Sequence, residues 1–266
     1  MEMRGMMGGF YKLSEWIMRL SVTNVLWLLF SIPFWFIIIS VLNLPIPEDI
    51  IIVDGDINSV IKAGWWLLGN MLLLPLILAP FTFFPATSAM FSVARKWVTG
   101  DVDVPLFKTF FQSYKSNFKQ AMLGGILYSL LILILVVDYI FFIEHFPVVG
   151  YLFIFLMFLT VVSMFHYFSL LSHFHMKTLQ LLKNALILTI GRPIRSLLIV
   201  FGIVAVFLIL RQFPVLFLFF SGSIVAVYTF YHFNLVVQKM IIQREAIEAK
   251  EGQDGQATDD GKQSQA

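Results

Sequence analysis

The chain has 266 residues, 59% of them apolar and only 13% charged, with a net charge of +2 and no cysteine. That near-balance argues against nucleic acid as a partner, and the missing thiols exclude disulfides, thiolate metal sites and cysteine nucleophiles. The apolar excess is gathered into runs near the ~20 residues that cross a ~30 Å hydrocarbon core, so the expected fold is all-α, a polytopic transmembrane helical bundle of six spans in which each backbone satisfies itself as helix.

Residues 1–20 carry Arg4, Lys12 and Arg19, with Phe10, Leu13, Trp16, Ile17 and Leu20 at helical spacing. This is the pattern of an amphipathic helix at a membrane interface. The first span is predicted over about 22–44. It ends in Leu42-Asn43-Leu44-Pro45-Ile46-Pro47 without a small-residue cleavage site and reads as retained. A loop with Glu48, Asp49, Asp54, Asp56 and a single Lys62 follows and reads as external.

The second span is predicted over about 64–84, with Trp65 and Trp66 at the outer belt. Apolar character nevertheless continues to Ala94, ~46 Å of helix from Gly64, which exceeds the membrane. Pro75, Pro80 and Pro85 interrupt it, and the break is expected at Pro85-Ala86-Thr87-Ser88. A basic loop comes next, in which Asp103 is expected to cap an amphipathic helix with Phe107, Phe110, Phe111, Tyr114 and Phe118 on its apolar stripe.

Spans three and four are predicted over about 122–143 and 148–171, joined by Glu144-His145-Phe146-Pro147. A second amphipathic stretch runs through Leu179, Leu182 and Leu186. The fifth span, about 196–210, is short, and Arg195 and Arg211 flank it as snorkelling anchors. The sixth covers about 215–237. Residues 1–242 thus form one integral membrane domain, and 243–266 a cytoplasmic helical extension that turns into a disordered polar tail near Gly252.

Basic residues alternate between the gaps, numbering 3, 1, 5, 0, 4, 1 and 4 from the N-terminus. Every second segment is basic, so both termini are expected in the cytoplasm, and the localisation expected is the plasma membrane.

Three stretches carry a likeness to a known family. They are Gly9-Phe10-Tyr11-Lys12-Leu13-Ser14-Glu15-Trp16 leading into Asn24-Val25-Leu26-Trp27; Pro85-Ala86-Thr87-Ser88-Ala89-Met90-Phe91 with Arg95-Lys96-Trp97; and Phe107 to Gln120, including Tyr114, Asn117, Phe118 and Lys119. A weaker echo is Leu182-Lys183-Asn184-Ala185. Together they resemble the YesL family of bacterial membrane proteins. The chain departs from the family pattern between about Leu42 and Pro75, where it carries an insertion. The family has no established activity, so the resemblance implies no catalytic residues. What it implies is a setting beside carbohydrate uptake systems, particularly binding-protein-dependent sugar transporters.

Candidate sites follow from this layout. The stripe Phe107, Phe110, Phe111, Tyr114 and Phe118 fits a partner's groove, the surface of the inner leaflet or internal packing. Pro85, Thr87 and Ser88 at the expected break, with Asp138 as the one carboxylate inside a predicted span, mark a solute or ion path if there is one. The bland readings are a kinked helix and a carboxylate near the outer interface, paired with a residue such as Arg211. His166 and His173 share a helical face, with His175 two residues on, but no carboxylate or cysteine nearby in sequence completes a metal site. No nucleotide, metalloprotease or hydrolase motif occurs. The expectation is a chain that is not an enzyme, holds no cofactor, and contacts the lipid bilayer and a sugar-transporter permease subunit; the alternative is a small permease or channel carrying solute itself.

Overall fold

The computed structural model describes residues 6–45, 47, 50 and 56–263, with side chains described over 8–45, 47, 50 and 56–248. Arg4, Glu48, Asp49 and Asp54 lie outside the described residues. Among those described the fold is all-α, without strands. Five helices are long and apolar enough to cross a membrane, six if a sharply bent pair counts as one span. This architecture is compatible with a multi-pass membrane protein.

The bent pair is the predicted first span. α1 (Met6–Phe30) absorbs the predicted interfacial helix and continues without interruption, then meets α2 (Ile32–Leu42) at 77°. The bend falls at Ser31, two residues before Pro33, which lacks the N–H an unbroken helix would need. Ser31 stabilises the corner: its Oγ donates to Trp27 O at 2.5 Å and accepts from Trp35 Nε1 at 3.1 Å. A single straight span over 22–44 is therefore corrected to two helices.

The predicted second span is also redrawn. Asp56 caps α3 (Ile57–Trp66) by accepting from Asn58 N at 3.0 Å. α3 runs through a π-helical turn (Leu67–Leu72) into α4 (Leu73–Leu78), making one apolar stretch from Ile57 to Leu78. The break lies at residues 79–82, around Pro80, and α5 (Phe83–Val98) begins beyond it. Pro85 occupies the first turn of α5, where a missing N–H costs nothing, so the break expected at Pro85 falls one turn earlier.

α6 (Leu106–His145) fuses the predicted inner helix and third span into one helix of 40 residues, ~60 Å at ~1.5 Å each. Residues 57–98 run antiparallel along it. Gly64 faces Ile140, Phe84 and Pro80 close on Gly125, and Ser92 meets Asn117. α7 (Pro147–His173) and α8 (Thr178–Gly191) follow. α8 buries Leu181, Ala185 and Thr189, while Leu179 and Leu186 are exposed, so the inward stripe is not the Leu179–Leu182–Leu186 line. α9 (Pro193–Leu210) is the short fifth span lengthened by a proline-led turn. α10 (Pro214–Gln263) remains helical through Gln263, past the change expected near Gly252.

The core is apolar, but so is much of the surface, and several polar side chains lie inside. Asn24, Ser163 and Ser169 are fully enclosed, whereas Phe201, Tyr151 and Val148 are exposed. Lipid is the solvent that tolerates such a surface, because tails compete with apolar side chains while buried polar groups need protein partners. α5 lies at the centre, with 12 of its 16 residues buried, and packs against α1, α6, α7 and α10. Its small residues, Ala86, Ser88, Ala89 and Ala94, let those four helices approach.

Candidate functional site

The densest polar construction joins α1 to α5 and α10. The Asn24 side chain lies inside the protein and engages α10 on both its atoms. Oδ1 accepts from Gly222 N at 2.8 Å and Ser223 N at 2.9 Å, and Nδ2 donates to Leu218 O at 2.6 Å. Leu218 O is the carbonyl four residues before Gly222, so the amide bridges both ends of one helical rung. Three residues along the same face of α1, Trp27 Nε1 donates to Thr87 Oγ1 at 3.0 Å. Gly222 makes room for that indole: a Cβ there would stand 2.8 Å from Trp27 Cε3. The first two stretches that carry the family likeness thus meet through Asn24, Trp27 and Thr87. Their role here is to hold three helices together.

A second network ties the basic end of the bundle. Arg19, with its side chain 8% exposed, pairs through Nη2 with Glu15 and with Asp103 Oδ1 at 2.9 Å, and lies over the Trp16 ring. Asp103 therefore accepts from α1 and is not the cap of α6, whose N-cap position is Pro105. Trp16 meets Trp97 edge-on, Arg95 Nη1 donates to Ser172 O at 2.6 Å, and Gln120 Nε2 donates to Met176 O. Asn117 and Asn184, both in the family-like stretches, reach Ser92 Oγ and Met176 Sδ.

The expected docking stripe is divided by the fold. Phe110 is fully buried, and Phe30 at the end of α1 packs on Phe110, Phe111 and Tyr114 with centroids 5.5, 5.1 and 4.8 Å away. Phe118 meets Tyr114 at a tilt of 57°. Only Phe107 and Phe111 keep large exposed surfaces, 61% and 45%. Phe110 faces inward because residue 109–110 of α6 turns toward the core that α1 completes.

The residues of the expected solute path are not brought together. Pro85, Thr87 and Ser88 are all buried in α5. Phe84, one turn before Ser88, packs at Gly125, and Asp138 lies 13 residues farther along α6, ~20 Å away. Asp138 is half-buried and makes no hydrogen bond or ion pair among the described residues; Arg211 is not its partner. Ser88 Oγ is enclosed without a hydrogen-bond partner.

The histidines take separate surroundings. His166 Nε2 bonds Ser196 Oγ at 3.1 Å, while His173 packs on Phe174, Phe230 and Phe233. Among the described residues no group of three His, Cys, Asp or Glu side chains is placed to hold a metal. Tyr128 and Ser163 share a bond of 3.0 Å, and Tyr167 donates to Gln120 O at 2.7 Å. Sequence reasoning missed the Asn24 clamp. Its signal was present as an asparagine amid the apolar Val22–Phe30 run, a position that demands partners.

Comparison with known proteins agrees with the likeness read from the residues. The family described as "Protein of unknown function, DUF624" matches residues 20–139. The chain is 30% identical over 229 residues to the Bacillus subtilis protein YteU, covering 85% of this chain and 84% of the relative. It is 27% identical over 212 residues to YesL of the same organism, covering 79% and 81%, and 38% identical over 89 residues to YesV, covering 32% and 41%. All three carry the description "uncharacterized". No solved structure matches the chain.

Proposed function

Since the chain belongs to the DUF624 family, with YesL-like relatives, we propose that it is a plasma-membrane protein with both termini in the cytoplasm, acting as a non-catalytic accessory or assembly partner of a carbohydrate uptake system. The observation that carries the reading is how several of its buried polar groups are used, although Thr23, Ser88 and Thr229 keep enclosed hydroxyls without a partner. Asn24, Trp27, Thr87, Tyr128, Ser163, His166 and Ser196 bond to one another or to the backbone of neighbouring helices. A permease keeps such groups for solute at a break near the midplane. Here the break at residues 79–82 borders a cavity of about 320 Å³ walled by Leu73, Ile77, Phe81 and Leu130, a surface with little to offer a sugar hydroxyl.

The carbohydrate setting comes from the family resemblance, and the direction of insertion from the segregation of basic residues. Phe107 and Phe111 supply the exposed aromatic pair on the basic end that a permease subunit would cover.

In-cell cross-linking followed by affinity purification in mild detergent tests the reading. A sugar-transporter permease is expected in stoichiometric yield, and its recovery is expected to fall when Phe107 and Phe111 are both changed to Ser. Recovery of the chain alone would sink the accessory role and favour a self-sufficient permease.

A further inference from the structure

At the corner between α8 and α9, against α10, lies a cavity of about 490 Å³ whose lining joins two chemistries. Arg192, Arg195 and Lys239 bring three positive charges to it, and Leu198, Leu235 and Val236 form an apolar wall. Three arginines elsewhere are answered within the chain: Arg19 by Glu15 and Asp103, Arg244 by Glu248, Arg95 by a helix-end carbonyl. None of the three at the cavity has a carboxylate partner among the described residues. Arg195 is held by donating from Nη1 to His232 Nδ1 at 3.3 Å. A guanidinium only donates, so the imidazole nitrogen accepts and orients the side chain without cancelling its charge. Arg192 stands where α8 ends and α9 begins, so the opposed ends of the two helix dipoles largely offset there and the charge at the cavity is that of its side chains.

We propose that this cavity binds the phosphate diester of an anionic membrane lipid. Arg192 and Arg195 take the phosphate oxygens, for which the planar guanidinium is suited, and Lys239 closes the rim. An acyl chain runs along Leu198, Leu235 and Val236. A soluble phosphate ester would be served by the cations alone; the apolar wall of Leu198, Leu235 and Val236 favours lipid. The site depends neither on the direction of insertion nor on the uptake reading.

The test uses the full chain in neutral detergent, with native mass spectrometry counting bound phosphatidylglycerol against phosphatidylcholine. One retained phosphatidylglycerol is expected, and its preference should fall about fivefold for each charge removed. Arg192→Gln with Arg195→Gln should bring retention to the phosphatidylcholine level. Lys239→Gln, an exposed position that leaves folding untouched, should give the single step, and Lys108→Gln should give none. Equal retention of the two lipids, or an unchanged preference in both cavity variants, overturns the site. Displacement of phosphatidylglycerol by glycerol 3-phosphate at equal concentration overturns the lipid assignment and identifies a soluble phosphate ester as the ligand.

Discussion

The phenol of Tyr167 covers the face of Gly124 so closely that a Cβ at that glycine would overlap the hydroxyl oxygen. The same hydroxyl donates to Gln120 O, the carbonyl one turn before Gly124. With the Tyr128–Ser163 bond, this contact fixes the register of α6 against α7.

Gly124→Ala is therefore expected to cost about 1–3 kcal/mol by overpacking and to lower the thermal midpoint in detergent. Gly9→Ala, where a Cβ meets nothing within 4 Å, should be neutral or slightly stabilising because alanine is the better helix former. Equal midpoints for the two variants would contradict the packing described.

At Asn24 the order of two substitutions is diagnostic. Asn24→Ala leaves Gly222 N and Leu218 O to the backbone ladder of α10, so the loss is limited. Asn24→Asp keeps an acceptor for the two N–H groups but sets a carboxylate against Leu218 O, with no donor to offer when ionised. The aspartate variant is expected to be the less stable of the two in thermal melts. The reverse order would show that the amide does not bridge that rung.

Trp27 and Thr87 should couple. A cycle of Trp27→Phe, Thr87→Val and the pair together is expected to give a coupling energy of about 0.5–1.5 kcal/mol, the range of a neutral hydrogen bond. Additive effects would indicate that the indole N–H does not use Thr87.

Ser88→Ala and Asp138→Asn separate the accessory role from transport by the chain itself. Neither side chain bonds to another residue, so neither change should disturb the fold, and sugar uptake by the host cell is expected to be unchanged. A loss of uptake with normal protein levels would assign the solute path to this chain. Thr87→Ala is less informative, since it also removes the acceptor of Trp27.

The cysteine-free background makes orientation measurable. A cysteine at Glu144 is expected to react with an impermeant maleimide in intact cells, and one at Gln112 only after permeabilisation. The opposite pattern would invert the insertion proposed here.

Helix content and most span positions were legible because unbroken apolar runs admit few structures in lipid. The corners were not. Ile32-Pro33 interrupts a run whose hydropathy never dips, so Pro33 reads as one more apolar residue until its missing N–H is considered. Of Pro75, Pro80 and Pro85, only geometry tells which one breaks the chain: Pro85 falls in a first helical turn that tolerates it, and Pro80 does not. Spacing puts Phe110 on the same stripe as Phe107 and Phe111 but does not say that α1 takes it inward, because it gives the face of a helix and not which neighbour covers it. Leu181 and Ala185 escaped notice because their stripe is short and interleaved with the exposed leucines. The clamp from Asn24 to Gly222 joins residues 198 positions apart, and nothing local in the sequence announces a partner so distant.

That separation places a clock inside the fold. A ribosome adding ~5–20 residues per second needs roughly 10–40 s to travel from Asn24 to Gly222. Throughout that interval α1 is made while the helix that receives its amide does not yet exist. The amphipathic Phe10–Leu20 segment gives the waiting helix a place at the water boundary, and closure of the clamp belongs to α10, not to the helix inserted first.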